Sequence, residues 1–172
     1  LARDTIGFDE SCRVTVYRLQ SDDGNYFKRV FRYSKNQRYC NEGRVRIPVA
    51  QGFVGKAWGN HGECEFSSTG LVGTFEFKRD LAAELDAAEC TLPPDGLSMP
   101  SRWFFAKAVE DSNTTKRVAI IVFESVEADK LDSEKIRALM ASETLQVSRY
   151  VRHLGVLDRE FNPVSGGGEA NG

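Results

Sequence analysis

The chain has 172 residues, is 41% hydrophobic and 28% charged, and carries a formal net charge of −2 at pH 7. At this length one hydrophobic core plus a tail is the expected organisation, and eleven Phe residues supply apolar surface for it, which excludes a largely disordered chain. No run approaches the roughly 18 apolar residues of a membrane-crossing helix, and no basic, apolar, then small-residue leader opens the sequence.

With Leu1 first rather than Met, the chain reads as a fragment, so a membrane segment upstream stays open. Cys12, Cys40, Cys64 and Cys90 lie far apart without a C-x-x-C pair, which fits neither a zinc ribbon nor a disulfide framework and points to reduced thiols in a cytoplasmic setting. Asn113-Thr114-Thr115 has the form of a glycosylation acceptor, relevant only in a secretory context that the cysteines do not support. Residues 28 to 46 hold seven Lys or Arg against one Glu, about +6 against about −8 in the rest. A solvated strand face and loop account for this, with an anionic ligand or partner as the alternative.

In chain order, residues 12 to 19 alternate, with Cys12, Val14 and Val16 on one side and Thr15, Tyr17 and Leu19 on the other, which is strand periodicity with both faces partly covered. Asp23-Gly24 suits a hairpin turn into a second strand over 26–33. Residues 44 to 49 read as a short extended piece after a polar stretch. Gly52 to Trp58 reads as a short helix whose glycines allow a tight turn and close packing. Residues 64 to 67 suit another strand, and 80 to 88 a helix ended by Thr91-Leu92-Pro93-Pro94-Asp95-Gly96.

Residues 103 to 109 and 117 to 125 are the clearest strands, joined by a polar loop over 110–116 and expected as antiparallel neighbours. The run Val118 to Phe123 is apolar on both faces, as in the middle of a covered sheet. Asp132 can cap a long helix with Glu134 in its first turn and Ile136, Met140, Val147, Tyr150 and Leu154 compatible with one face. Residues 1–161 are thus expected as one domain and 162–172, with three consecutive glycines, as a linker or tail.

This order of elements, with Pro48-Val49-Ala50-Gln51-Gly52-Phe53-Val54-Gly55-Lys56-Ala57-Trp58 at its centre, resembles the GAF family over residues 10 to 155. The Gly-hydrophobic-hydrophobic-Gly segment entering a short helix looks like that family's signature, although its motifs carry structure and not catalysis. The resemblance implies an α/β (α+β) fold: a central antiparallel sheet of five to six strands, helices on both sides, a ligand cavity roofed by the variable insert, and terminal helices that join partners. PAS domains share much of this plan. One departure is that little more than a turn precedes Cys12, where GAF domains commonly begin with a longer helix, which puts dimerisation in doubt.

Candidate chemistry is sparse. Gly52-x-x-Gly55 could be a KH-type RNA clamp, but a KH loop joins two helices and here an extended segment leads in, so nucleic acid is not the expected partner. His61-Gly62-Glu63-Cys64 groups three possible metal ligands without the fourth ligand or second cluster that a zinc site needs, and no metal is expected. His153, far along the long helix, reads as a helix-end residue. Some GAF-fold proteins reduce methionine sulfoxide with paired cysteines. Here Cys64 and Cys90 are the plausible pair, but no cysteine-rich signature surrounds them, so no catalytic residue is expected.

The resemblance places Phe66, Phe75, Phe77, Trp103 and Phe105 around the cavity, with Arg79 or Arg102 as an anion contact; plain core filling is the alternative for these aromatics. The expected function is a regulatory sensor module that binds a small ligand, transmits through its C-terminal helix and serves an attached effector or a homodimer partner. A ligand-free interaction module is the alternative. The sequence names no cofactor.

Overall fold

The computed structural model describes residues 6–20, 25–41, 44–59, 62–86, 99–111 and 113–161; within the last helix the side chains of 144, 145, 147, 151, 152 and 154–161 are not described. The expected Asp23-Gly24 turn, the breaker at 91–96, His61, Cys90 and the 162–172 tail lie outside the described residues.

Six strands, β1 (Cys12–Leu19), β2 (Tyr26–Tyr33), β3 (Arg46–Pro48), β4 (Glu63–Ser67), β5 (Trp103–Glu110) and β6 (Arg117–Ser125), form one antiparallel sheet in the order β3-β2-β1-β6-β5-β4. Among the described residues four helices accompany it: α1 (Gln37–Asn41), α2 (Gly52–Gly59), α3 (Phe75–Asp86) and α4 (Ser133–Phe161). This is the α/β architecture expected from the sequence. The apolar run in β6 lies between β1 and β5, and every residue from Ala119 to Ser125 is buried.

Local chemistry explains the element ends. Asp132 Oδ1 accepts from the Lys135 amide at 3.1 Å, capping α4, and Asp111 Oδ1 accepts from the amides of Asn113 and Thr114 at 2.8 and 3.2 Å, closing the β5–β6 hairpin. Gly52 opens α2 at φ 59°, and a Cβ on Gly55 would sit 2.7 Å from the Val49 carbonyl oxygen and the Ala50 carbonyl carbon. The helix therefore packs back on the Val49–Ala50 backbone as only glycine permits.

Two elements differ from expectation. The third helix begins at Phe75 rather than 80, because Thr74 Oγ1 accepts from the Phe77 amide at 3.3 Å and starts it a turn earlier. The polar stretch after β2 contains α1, capped by Asn36 Oδ1 on the Arg38 amide at 3.1 Å. Both are side-chain caps that outweigh weak local propensity.

Alternation sorts the side chains into two cores. On one face Cys12, Val16, Trp103, Phe105, Ile121 and Phe123 meet Ile136 and Met140 of α4. On the other, Tyr17, Phe66, Phe104, Ile120 and Val122 meet Phe53, Val54 and Ala57 of α2 and Phe77, Leu81 and Leu85 of α3. Each fully buried aromatic or aliphatic side chain stabilises the fold by roughly 1.5–3 kcal/mol.

Candidate functional site

Between the sheet and the α2–α3 pair lies a cavity of about 90 Å³. Its floor is Arg13 and Tyr17 of β1, Phe104 of β5, and Val122 and Glu124 of β6; its cover is Phe53 and Val54 of α2 with Leu81 and Leu85 of α3; Arg44, Ile47 and Gln51 complete the wall. The lining is largely hydrocarbon, with Arg13 and Glu124 paired at the polar end of the floor and Arg44 and Gln51 paired in the wall. That division is typical of small-molecule sites, although this space is below their usual range of roughly 300–1,000 Å³.

The polar end is built by strand register. Arg13 and Glu124 are direct cross-strand partners, so two residues 111 apart in sequence meet side by side. Arg13 Nε donates to Glu124 Oε2 at 2.7 Å and Nη2 to Oε1 at 2.8 Å, a bidentate pair in which the side chains are 2% and 9% exposed. Ser101 Oγ, fully buried, donates to Glu124 Oε1 at 3.4 Å. Arg44 Nη1 donates to Gln51 Oε1 at 2.6 Å. A buried pair of this kind adds little net stability over a well-packed apolar pair, so stability alone does not account for its place on the cavity floor.

Beside this pair, Arg32 of β2 donates from Nε to Thr15 Oγ1 and from Nη2 to the Tyr17 hydroxyl, each at 3.1 Å. Burial, and then the Glu124 charge, raise the Tyr17 hydroxyl above its ordinary value, so it keeps its proton. Burial and the nearby Arg13 charge lower the Arg32 guanidinium, which starts so high that it remains a cation.

None of the seven site residues expected from the sequence borders this cavity. Trp103 and Phe105 are on the opposite face of the sheet, 2% and 0% exposed within the α4 core, and Arg137 of α4 lies over the Phe105 ring at 5.0 Å. Both lie on the α4 side of β5, whereas Phe104 lies on the side covered by α2 and α3. Phe66 and Phe77 are on the correct face but stand behind the cavity wall, Phe66 packing on Phe53 and Phe104 at ring separations of 5.1 and 6.2 Å. Phe75 is 79% exposed. Arg79 pairs with Asp80 at the surface, and Arg102 donates to the carbonyls of Val126 and Thr69.

A second concavity of about 200 Å³ lies on the α4 face, between Ile6, Phe8, Val14, Phe31, Tyr33, Phe123 and Leu139. It has no charged lining. Among the described residues no group of three or more His, Cys, Asp or Glu could hold a metal ion, and no helix is long and apolar enough to cross a membrane.

No protein-family model matches the sequence, and no curated protein matches it. The fold does match solved structures. The GAF domain of an Acinetobacter phosphoenolpyruvate-protein phosphotransferase superposes with a TM-score of 0.57 at 11% identity, over 90% of this chain and 78% of that one. The type II free methionine-R-sulfoxide reductase of Thermoplasma acidophilum gives 0.56 at 12%, over 88% and 85%. The phycoerythrobilin-bound GAF domain of a cyanobacterial phytochrome gives 0.52 at 12%, over 90% and 82%. The fold is that of GAF domains, as the sequence resemblance implied; identities this low establish the architecture and nothing finer.

Proposed function

We propose that the chain is a non-catalytic regulatory sensor module of a cytoplasmic signalling protein. A small ligand enters the cavity between the sheet and the α2–α3 pair, and occupancy is transmitted through the C-terminal helix to an attached effector or a second copy. The observation that carries this reading is the cavity itself, largely apolar in its lining, with the Arg13–Glu124 pair and Tyr17 on its floor and Arg44 and Gln51 in its wall. β6 offers a mechanical link, because Val122 and Glu124 face the cavity while Phe123 faces the α4 side. Arg137 ties α4 to that same sheet through Glu63 at 2.5 Å and Glu65 at 3.3 Å. A ligand shifts α4 only to the extent that it binds one arrangement of the helix better than another.

Among the described residues the thiols sit as structural groups do, while Cys90, the other member of the expected pair, lies outside them. Cys12 Sγ donates to Asp9 Oδ1 at 3.6 Å, Cys64 Sγ to the Phe53 carbonyl at 3.3 Å and Cys40 Sγ to the Ser34 carbonyl at 3.4 Å. Cys12 and Cys64 belong to cores on opposite faces of the sheet. A nucleophilic thiol instead needs a neighbouring cation or base and a resolving partner.

The second reading, a ligand-free interaction module, is favoured by the small volume and by the mutual satisfaction of Arg13 and Glu124. Native mass spectrometry separates the two: a small molecule should co-purify with the chain and be lost from Leu85→Trp, which fills the cavity. A bare mass from a folded chain, with α4 hydrogen exchange indifferent to added metabolites, leaves the interaction module. Turnover of free methionine sulfoxide that disappears in Cys64→Ser/Cys90→Ser would make the chain an enzyme.

A further inference from the structure

Residues 63 to 68 divide their contacts by parity. Cys64 Sγ donates to the Phe53 carbonyl at 3.3 Å, and Phe66 sets its ring 5.1 Å from that of Phe53 and edge-on to Phe77 at 6.1 Å. Ser68, buried just past the end of β4, donates from Oγ to Asp80 of α3 at 3.0 Å. The even residues thus hold the two helices that cover the cavity, and Phe53 is itself part of the cavity lining. The odd residues face the other way. Glu63 and Glu65 accept from Arg137 of α4 at 2.5 and 3.3 Å, and Ser67 Oγ donates at 2.7 Å to Asp129, in the connection from β6 to α4. One short run grips the cavity cover on one side and the start of α4 on the other.

Its place in the sheet lets it move. β6 also has side chains on both faces, but it is hydrogen-bonded to β1 along one edge and β5 along the other, so displacing it disturbs two ladders. Among the described residues β4 pairs with β5 alone. The cavity, at about 90 Å³, is smaller than the roughly 300–1,000 Å³ of ordinary ligand sites, so a guest of usual size fits only if the cover gives way. Because Cys64 holds the Phe53 backbone and Phe66 its ring, a shift of Phe53 is a shift of β4.

Resting on the sensor reading, we infer that β4 is the relay through which the cavity regulates α4. A guest displaces Phe53, β4 shifts at the sheet edge, and Glu63, Glu65 and Ser67 are drawn away from Arg137 and Asp129, which loosens the start of α4. The contacts that break are part-exposed ion pairs and an exposed hydroxyl bond, individually weak, so the central strands stay in place.

Hydrogen exchange tests this on the full chain, with the side chain added by Leu85→Trp acting as a built-in guest. Leu85→Trp should speed exchange over 63–67 and over 133–143 by at least about fivefold, the lower end of usual coupling between sites, and leave 119–125 unchanged. Arg137→Met cuts the clamp and by itself speeds exchange over 133–143. Adding Leu85→Trp to it should change that segment by less than about twofold, while 63–67 still respond. A full further rise over 133–143 in the Arg137→Met background overturns the inference and assigns the route to β6. So does a rise over 133–143 with 63–67 unmoved, a rise spread evenly over all six strands, or no rise at all. Leu85→Phe serves in the same comparison where Leu85→Trp does not fold. The sensor reading fails separately, on a bare mass from the folded chain. A co-purifying molecule whose removal alters exchange over 133–143 equally in the parent and in Arg137→Met would keep that reading while the relay falls.

Discussion

The two faces of the sheet are built from the same strands but closed in different ways. On the α4 face Trp103, Phe105, Ala119, Ile136 and Met140 are 8% exposed or less, the concavity of about 200 Å³ beside Phe123 and Leu139 has no charged lining, and the charged groups lie at the rim, where Arg137 bridges Glu63, Glu65 and Glu134. The opposite face is covered by two shorter helices that leave a cavity, and its charges are inside, Arg13 on Glu124. Both faces keep some open space, and the difference is that only the space under α2 and α3 is lined by charged side chains.

The largest expected effect is at the internal pair. Arg13→Met leaves the Glu124 carboxylate buried and unpaired, and should cost about 3–5 kcal/mol in urea denaturation, while Arg13→Met/Glu124→Leu should recover most of it. A cost below about 1 kcal/mol for the single variant would mean that water reaches the floor, erasing the contrast between the faces.

Packing gives the next test. Ala119, fully buried on the α4 face, should not accept a larger side chain, and Ala119→Leu should cost about 1–3 kcal/mol. Leu85→Phe, directed at the cavity, should stay within about 1 kcal/mol of the parent. Equal penalties in thermal melts would show that the cavity closes in solution.

Smaller effects are expected at the rim of the α4 face. Arg137→Met removes exposed ion pairs and a cation–π contact, and should cost about 1 kcal/mol by denaturation, with hydrogen exchange rising at the start of α4 before it rises in the strands. Global loosening instead would show that Arg137 supports the whole fold and not helix docking.

The pH response of Glu63 should be the subtlest. Burial would raise its carboxyl, but hydrogen bonds from Lys107 and Arg137 outweigh it and lower the value below the ordinary 4.5. A carboxylate held below its unfolded value stabilises fully above that value and loses its contribution as pH falls through the folded one. Stability should therefore decline on acidification below about pH 4.5, and Glu63→Gln should flatten part of that decline. An unchanged slope would assign the acid sensitivity to other carboxylates, such as Asp9, where burial opposes but Lys130 and Ser11 prevail and hold the group low.

Much of this architecture was legible in the amino-acid sequence because it rests on local chemistry. Alternation assigned Cys12, Val14 and Val16 to one side of β1 and Thr15, Tyr17 and Leu19 to the other; the uninterrupted apolar run placed β6 at the centre; Asp132 marked the start of α4; Gly52 and Gly55 marked a tight turn and a close approach. The caps at Asn36 and Thr74 were available signals that went unread. So were Arg13 and Glu124, each a single charge in an otherwise apolar strand face. Period-two alternation separates two faces without saying which helix covers which, so the side of β5 that carries Phe104 rather than Trp103 and Phe105 could be identified only once α2, α3 and α4 were in place. The same holds for the polar end of the cavity: Arg13, Tyr17 and Glu124 come together on its floor only through the pairing of β1 with β6, and the pairing of β1 with β2 sets Arg32 against the Tyr17 hydroxyl, so a non-local register builds what no local pattern shows.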